Sequence, residues 1–107
     1  MDIKTLAAEL GLEEKEALRL VQTFVEATEQ DLLLLEQALA DQDTDQVIKL
    51  VHHIKGAASN LELTPIIESA RSIEQGARSH MLEDTEAQIA AMRSKLESIR
   101  GEMVVKD

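Results

Sequence analysis

The stretch EEKEALRLVQTFVEATEQDLLLLEQALA, residues 13–40, decides the fold class. Ala17, Leu18, Val21, Phe24, Val25, Thr28, Leu32, Leu35 and Leu39 recur mostly in steps of three and four, which keeps one stripe of a 3.6-residue helix facing a core. The stretch holds neither Gly nor Pro and is dense in Ala, Leu, Glu and Gln, whose side chains lose little freedom in a helix. It reads as a long amphipathic helix. Leu33 and Leu34 fall on the far side of the wheel. They are expected to pack against a short helix that precedes the long one, the sharper alternative being a surface for a partner.

That short helix is expected over residues 2–10, where Ile3, Leu6 and Leu10 stand at helical spacing and Gly11 follows at a site suited to a left-handed C-terminal residue. Downstream, the polar break Asp41, Gln42, Asp43, Thr44, Asp45 leads into a second bundle helix at about 44–60, with Asp43 and Gln46 spaced for a capping box. Its stripe is Val47, Leu50, Val51, Ile54, Ala57, Ala58 and Leu61. Thr64 as cap and Pro65 in the first turn open a third helix, about 65–79, with stripe Ile66, Ile67, Ala70, Ile73 and Ala77. A fourth, about 84–102, carries Ile89, Met92, Leu96, Ile99 and Met103, and residues 104–107 are expected to fray. Four such stripes joined by short connections can bury themselves only against one another. The expected fold is all-α, an antiparallel up-down-up-down four-helix bundle with a short extra N-terminal helix, in one domain over residues 1–107.

Composition agrees and removes several functions. The chain has 107 residues, 44% hydrophobic, with a single Phe and no Trp or Tyr, so the core is aliphatic. Its formal charge of -10 has the wrong sign for neutralising nucleic-acid phosphates. Without cysteine there is no disulfide, thiolate metal site or thiol nucleophile. The longest apolar run, residues 32–35, is far short of a membrane span, and the first residues lack the layout of a signal peptide. A cytoplasmic location without membrane insertion is the expectation.

The stretch that carries chemistry is VHHIKGAASN, residues 51–60. With Ile54 at the centre of the buried face, His52 falls about 160 degrees away and faces solvent, whereas His53 falls at about -100 degrees, near the edge of the apolar stripe. Asp45, Ile48, Lys49, Gly56 and Ser59 share the His52 face, with Lys55 on its flank. Ile48 reads as an exposed apolar docking edge. Gly56 is unusual inside a helix, where it costs about 1 kcal/mol relative to Ala, and it leaves room for another molecule one turn after His52. Lys55, three residues on, can set an ammonium beside whatever the imidazole carries. No orienting carboxylate or oxyanion hole is evident for acyl transfer. An accessible imidazole, a cation and open space suit phosphoryl transfer, which is largely positioning and charge compensation.

These residues resemble the histidine-containing phosphotransfer (HPt) domain of multistep phosphorelays. His52, His53, Ile54, Lys55, Gly56, Ala57, Ala58, Ser59, Asn60 and Leu61 are similar to the family's His-x-Leu-Lys-Gly-Ser/Ala-x-x-x-Leu stretch, and Ala70, Arg71, Ser72, Ile73, Glu74 to its Ala-x-x-Leu-Glu. The resemblance covers roughly residues 13–100. It implies that His52 accepts a phosphoryl group from a receiver-domain aspartate and passes it to another, with Lys55 stabilising the phosphorylated state and Gly56 admitting the receiver. It further implies that Ile48, Lys49 and Ser59 help form the docking surface. The partners implied are response-regulator receiver domains and a hybrid sensor histidine kinase. No cofactor of its own is implied, Mg2+ being expected on the receiver, and neither ATP binding nor hydrolytic activity is expected. Two positions depart from the pattern: Glu62 stands where the family usually has Gly, and Glu74, with Gln75 beside it, where some members place Gln. The resemblance assigns neither Glu74 nor Gln75 a role; Arg71, Glu74 and Arg78 share a flank suited to a local ion pair.

Three rival readings stand beside this one. A di-iron or zinc bundle would need Glu-x-x-His or His-Glu-x-x-His spacing, and Lys49, Leu50 and Ala77 stand three residues before the histidines instead. A non-catalytic helical interaction module would dock through Leu33 and Leu34. The phosphorylated domain of a chemotaxis-type histidine kinase would share both bundle and motif.

Overall fold

The four apolar stripes close on one another in the computed structural model, which describes residues 2–102. The elements are α1 (Ile3–Leu10), α2 (Glu14–Ala40), α3 (Thr44–Asn60), α4 (Thr64–Arg78) and α5 (Thr85–Glu102), with no strand among the described residues. The expected place of Met103 in the last stripe, and the expected fraying of 104–107, lie outside the described residues. α2 packs against α3 and α5, and α4 against the same two, so the four long helices form an antiparallel up-down-up-down ring. Val21, Leu32, Leu35, Val47, Ile54, Ile66 and Leu96 are fully enclosed between them. α1 packs on α2 and adds Leu6 to the same core.

Turn chemistry fixes the reversals. Gly11, Gln42, Glu62 and His80 each adopt positive φ just past the end of a helix. The amide after each bonds back to the carbonyl five residues earlier: Leu12 to Ala7 at 2.9 Å, Asp43 to Ala38 at 2.9 Å, Leu63 to Ala58 at 3.0 Å and Met81 to Gly76 at 2.7 Å. These are Schellman turns, which satisfy the carbonyls a helix end leaves open. Glu62, at φ 54°, thus takes the conformation for which glycine is usually chosen. Gly76 is needed for a different reason, since a Cβ there would lie 2.5 Å from the Met81 carbonyl oxygen.

Three expectations need correction. Leu33 and Leu34 do not pack on α1; they are 65% and 54% exposed. An eight-residue helix is only about 12 Å long, whereas Leu33 lies roughly 28 Å along α2 from its start, beyond α1's reach. Thr64 is not the cap of α4 but its first residue; Leu63 occupies the cap position because its side chain is taken into the core. Asp43 accepts the Gln46 amide at 3.1 Å, but no bond returns from the Gln46 side chain, so only half of the capping box forms.

Candidate functional site

α3 places the site because its two faces have opposite composition. Val47, Leu50, Val51, Ile54 and Ala58 are buried on one side, and His52 projects from the other with its side chain 70% exposed. His53 departs on the α2 flank, where its Nδ1 lies 2.9 Å from Asp31 Oδ2. The adjacent histidines therefore meet different helices, one a carboxylate of α2 and the other a carboxylate of α4.

That second carboxylate is Glu74, only 8% exposed. Its Oε1 accepts a hydrogen bond from Lys55 Nζ at 2.8 Å, and its Oε2 lies 3.4 Å from His52 Nδ1 and 3.6 Å from an Arg78 guanidinium nitrogen. The Lys55 hydrogen bond holds the Glu74 carboxyl below the ordinary glutamate range, against burial, which pushes it up. Arg78 takes part in the expected local ion pair, while Arg71 lies exposed one turn before Glu74. The strongest partner comes from another helix.

Gly56 lies open one turn after His52: a Cβ there would meet nothing within 4 Å. Lys49 and Ser59 are exposed on the same helix, and Ser59 Oγ donates to the Lys55 carbonyl at 2.8 Å. Ile48 is not the exposed edge expected of it. It is half-buried and packed against the core, since a branched side chain about 120 degrees from the centre of the buried face can lean back onto the bundle.

A family model described as Hpt domain matches residues 19–102, from within α2 to the end of α5. The chain belongs to the Hpt domain family. Its function is histidine phosphotransfer in two-component phosphorelays, in interaction with receiver domains and kinases. No curated protein and no solved structure matches this chain. Among the described residues of this Hpt domain, no helix is long and apolar enough to cross a membrane, and no cluster of three or more His, Asp or Glu could hold a metal ion.

Sequence reasoning missed Asp31 and the part played by Glu74. A signal for Glu74 was present. It stands one turn from both Ala70 and Ala77, on the edge of the apolar stripe of α4, where a carboxylate needs a cation from a neighbouring helix.

Proposed function

We propose that His52 is the phosphoacceptor of this Hpt domain, relaying a phosphoryl group between receiver-domain aspartates. The observation that carries this reading is the exposed imidazole whose Nδ1 faces the Glu74 carboxylate, leaving Nε2 on the open side of the ring. A carboxylate beside Nδ1 favours the tautomer with the proton there, so the Nε2 lone pair is free to attack. The N–P bond forms at Nε2 as the P–O bond to the receiver aspartate breaks. The aspartate leaves as a carboxylate, and the ring, keeping its Nδ1 proton, carries the positive charge of the adduct.

Lys55 neutralises Glu74 before transfer, and its flexible arm can turn the same ammonium toward the arriving phosphoryl group. Gly56 lets the receiver approach, with Lys49 and Ser59 on the contacting surface and Ile48 supporting it from the half-buried flank. Mg2+ belongs to the receiver's site, and the partner class goes with a cytoplasmic location and with no nucleic-acid binding. Transfer of radiolabelled phosphoryl from phosphorylated receiver domains to wild type, His52→Gln and His53→Gln tests the assignment. Acid-labile, base-stable label lost only in His52→Gln is expected, and label that survives in His52→Gln would overturn the site.

A further inference from the structure

Leu33 and Leu34 are neighbours in sequence but point about 100 degrees apart on α2, toward different edges of the bundle. Leu34 stands one turn from Asp31, on the flank that meets His53 of α3. Leu33 stands one turn from both Glu29 and Glu36, which reach across to Arg100 and Arg93 of α5. It is the most exposed large apolar side chain among the described residues. Such a leucine alone means little. Beside this one, however, a groove of about 370 Å³ runs between α2 and α5. Leu39, Ala40, Ile89 and Ala90 line it, the Glu36–Arg93 pair crosses it and Glu86 stands at its edge, so apolar surface continues from Leu33 to Ala40, two turns on.

The rim identifies the occupant. Arg93 and Arg100 are each taken up by a glutamate of α2, which leaves Glu26, Glu86 and Glu97 exposed and without an ion pair among the described residues. The register set by those two pairs puts Glu97 nearly level with Leu33. This edge is acidic in a chain whose net charge is already -10. A second copy of the chain, a nucleic acid or an anionic bilayer would set negative charge against it. Backbone chemistry narrows the choice further. Helices α2 and α5 bond their amides and carbonyls internally, so the groove offers nothing to the backbone of an extended segment, whereas a helix arrives with its own bonds made.

We propose that the α2–α5 groove docks a basic amphipathic helix of a partner protein, its apolar side chains on Leu33, Ala40 and Ala90 and its Lys or Arg residues on Glu26, Glu86 and Glu97. Apolar contact supplies most of the affinity, because exposed ion pairs are individually weak, and the charges select and orient the partner. The small side chains of Ala40 and Ala90 allow close approach and give lysine stems apolar surface to lie on. His52 meets α4, on the opposite edge of the ring from the α2–α5 groove. A helix held in the groove therefore leaves the imidazole and Gly56 open to a receiver, so that the relay domain stays tethered while transfer proceeds.

A peptide of about 18 Leu and Lys residues, patterned as an amphipathic helix, tests this beside an isomer of the same composition in shuffled order. Amide 15N–1H spectra of the whole chain locate the contact and measure its affinity. Shifts should cluster at Leu33, Ala40 and Ala90, leave His52 and Gly56 in place, and require about tenfold more of the shuffled isomer. Leu33→Ser, at an exposed position and so without harm to the fold, should weaken binding about tenfold, and Leu34→Ser should leave it unchanged. Glu86→Gln/Glu97→Gln should weaken it about threefold at low salt. Equal affinity for the two isomers would reduce the contact to net charge and overturn the proposal. So would shifts centred on α3 and α4, equal losses in Leu33→Ser and Leu34→Ser, or no binding at about 1 mM peptide. Shifts of the groove amides with protein concentration alone would give the groove to a second copy instead, and overturn the choice of partner.

Discussion

Lys55 Nζ lies 2.8 Å from Glu74 Oε1, so the cation beside His52 is bonded to a carboxylate contributed by the next helix. The pair joins α3 to α4 across the edge of the core, with the lysine side chain only partly exposed and the glutamate nearly enclosed. Removing one partner should cost more than removing both, because a lone buried charge keeps its desolvation penalty. Lys55→Met is expected to destabilise the chain by about 1–3 kcal/mol, and Glu74→Gln in that background to recover part of the loss. A double-mutant cycle by urea unfolding measures the coupling, and additive single effects would mean that the two groups do not interact in solution.

The same pair makes stability depend on acid pH. Glu74 is held below its ordinary range, chiefly by the Lys55 hydrogen bond, so the folded chain retains the carboxylate at pH values where the unfolded chain has begun to protonate it. The contribution is whole above the ordinary glutamate value of about 4.3 and is lost as pH falls through the lower folded value. Between about pH 5 and pH 3 the wild type should therefore lose more stability than Glu74→Gln. Parallel stability curves for the two proteins would contradict this.

Burial separates leucines and isoleucines that look alike in the sequence. Ile54 is fully enclosed in the core, directly opposite the exposed His52, and Ile54→Ala should cost about 2–5 kcal/mol through lost burial and the cavity left behind. Leu33→Ser and Leu34→Ser, on the open face of α2, should each change stability by no more than about 0.5 kcal/mol. Denaturant midpoints with unchanged slopes provide the measurement.

These contrasts show what could be read from the sequence. Helical period alone placed Ile54 inside and His52 outside, because both properties follow from rotation about one axis. The turns were legible where a Gly or a polar run marked them. Leu33 was misjudged because the wheel says which side of α2 it occupies but not how far along that helix α1 extends. Ile48 was misjudged because a residue between the two faces can lean either way, and the neighbouring helix decides. The Lys55–Glu74 and His53–Asp31 pairs depend on the register between helices, which no single stripe encodes.

Glu62 tests the turn chemistry. It adopts φ 54°, where an L side chain is crowded and glycine is not, at the reversal from α3 to α4. The Schellman bond from Leu63 to Ala58 holds it there, and Leu63 anchors the turn in the core. Glu62→Gly should stabilise the chain by about 1 kcal/mol, raising the thermal midpoint by several degrees in a domain of this size. Destabilisation instead would mean that the Glu62 side chain makes a contribution larger than its backbone strain.

Gly56 offers the sharpest separation of stability from function. Inside α3 it forgoes helix propensity, and a Cβ added there would meet nothing within 4 Å of the isolated domain. Gly56→Ala should therefore raise stability by about 0.5–1 kcal/mol. If the open space admits the receiver, the same methyl should slow phosphoryl transfer to His52, and Gly56→Gln, with a longer side chain one turn away, should slow it further. Because the small-molecule donor phosphoramidate is far smaller than a receiver, its reaction with His52 should remain nearly unchanged in both variants. Comparing the two donors separates the causes: loss with the receiver alone places the obstruction at the docking surface, and equal loss with both places it at the imidazole. A Gly56→Gln protein that accepts phosphoryl from its receiver at the wild-type rate would remove Gly56 from the contacting surface and leave its cost to the helix without a functional reason.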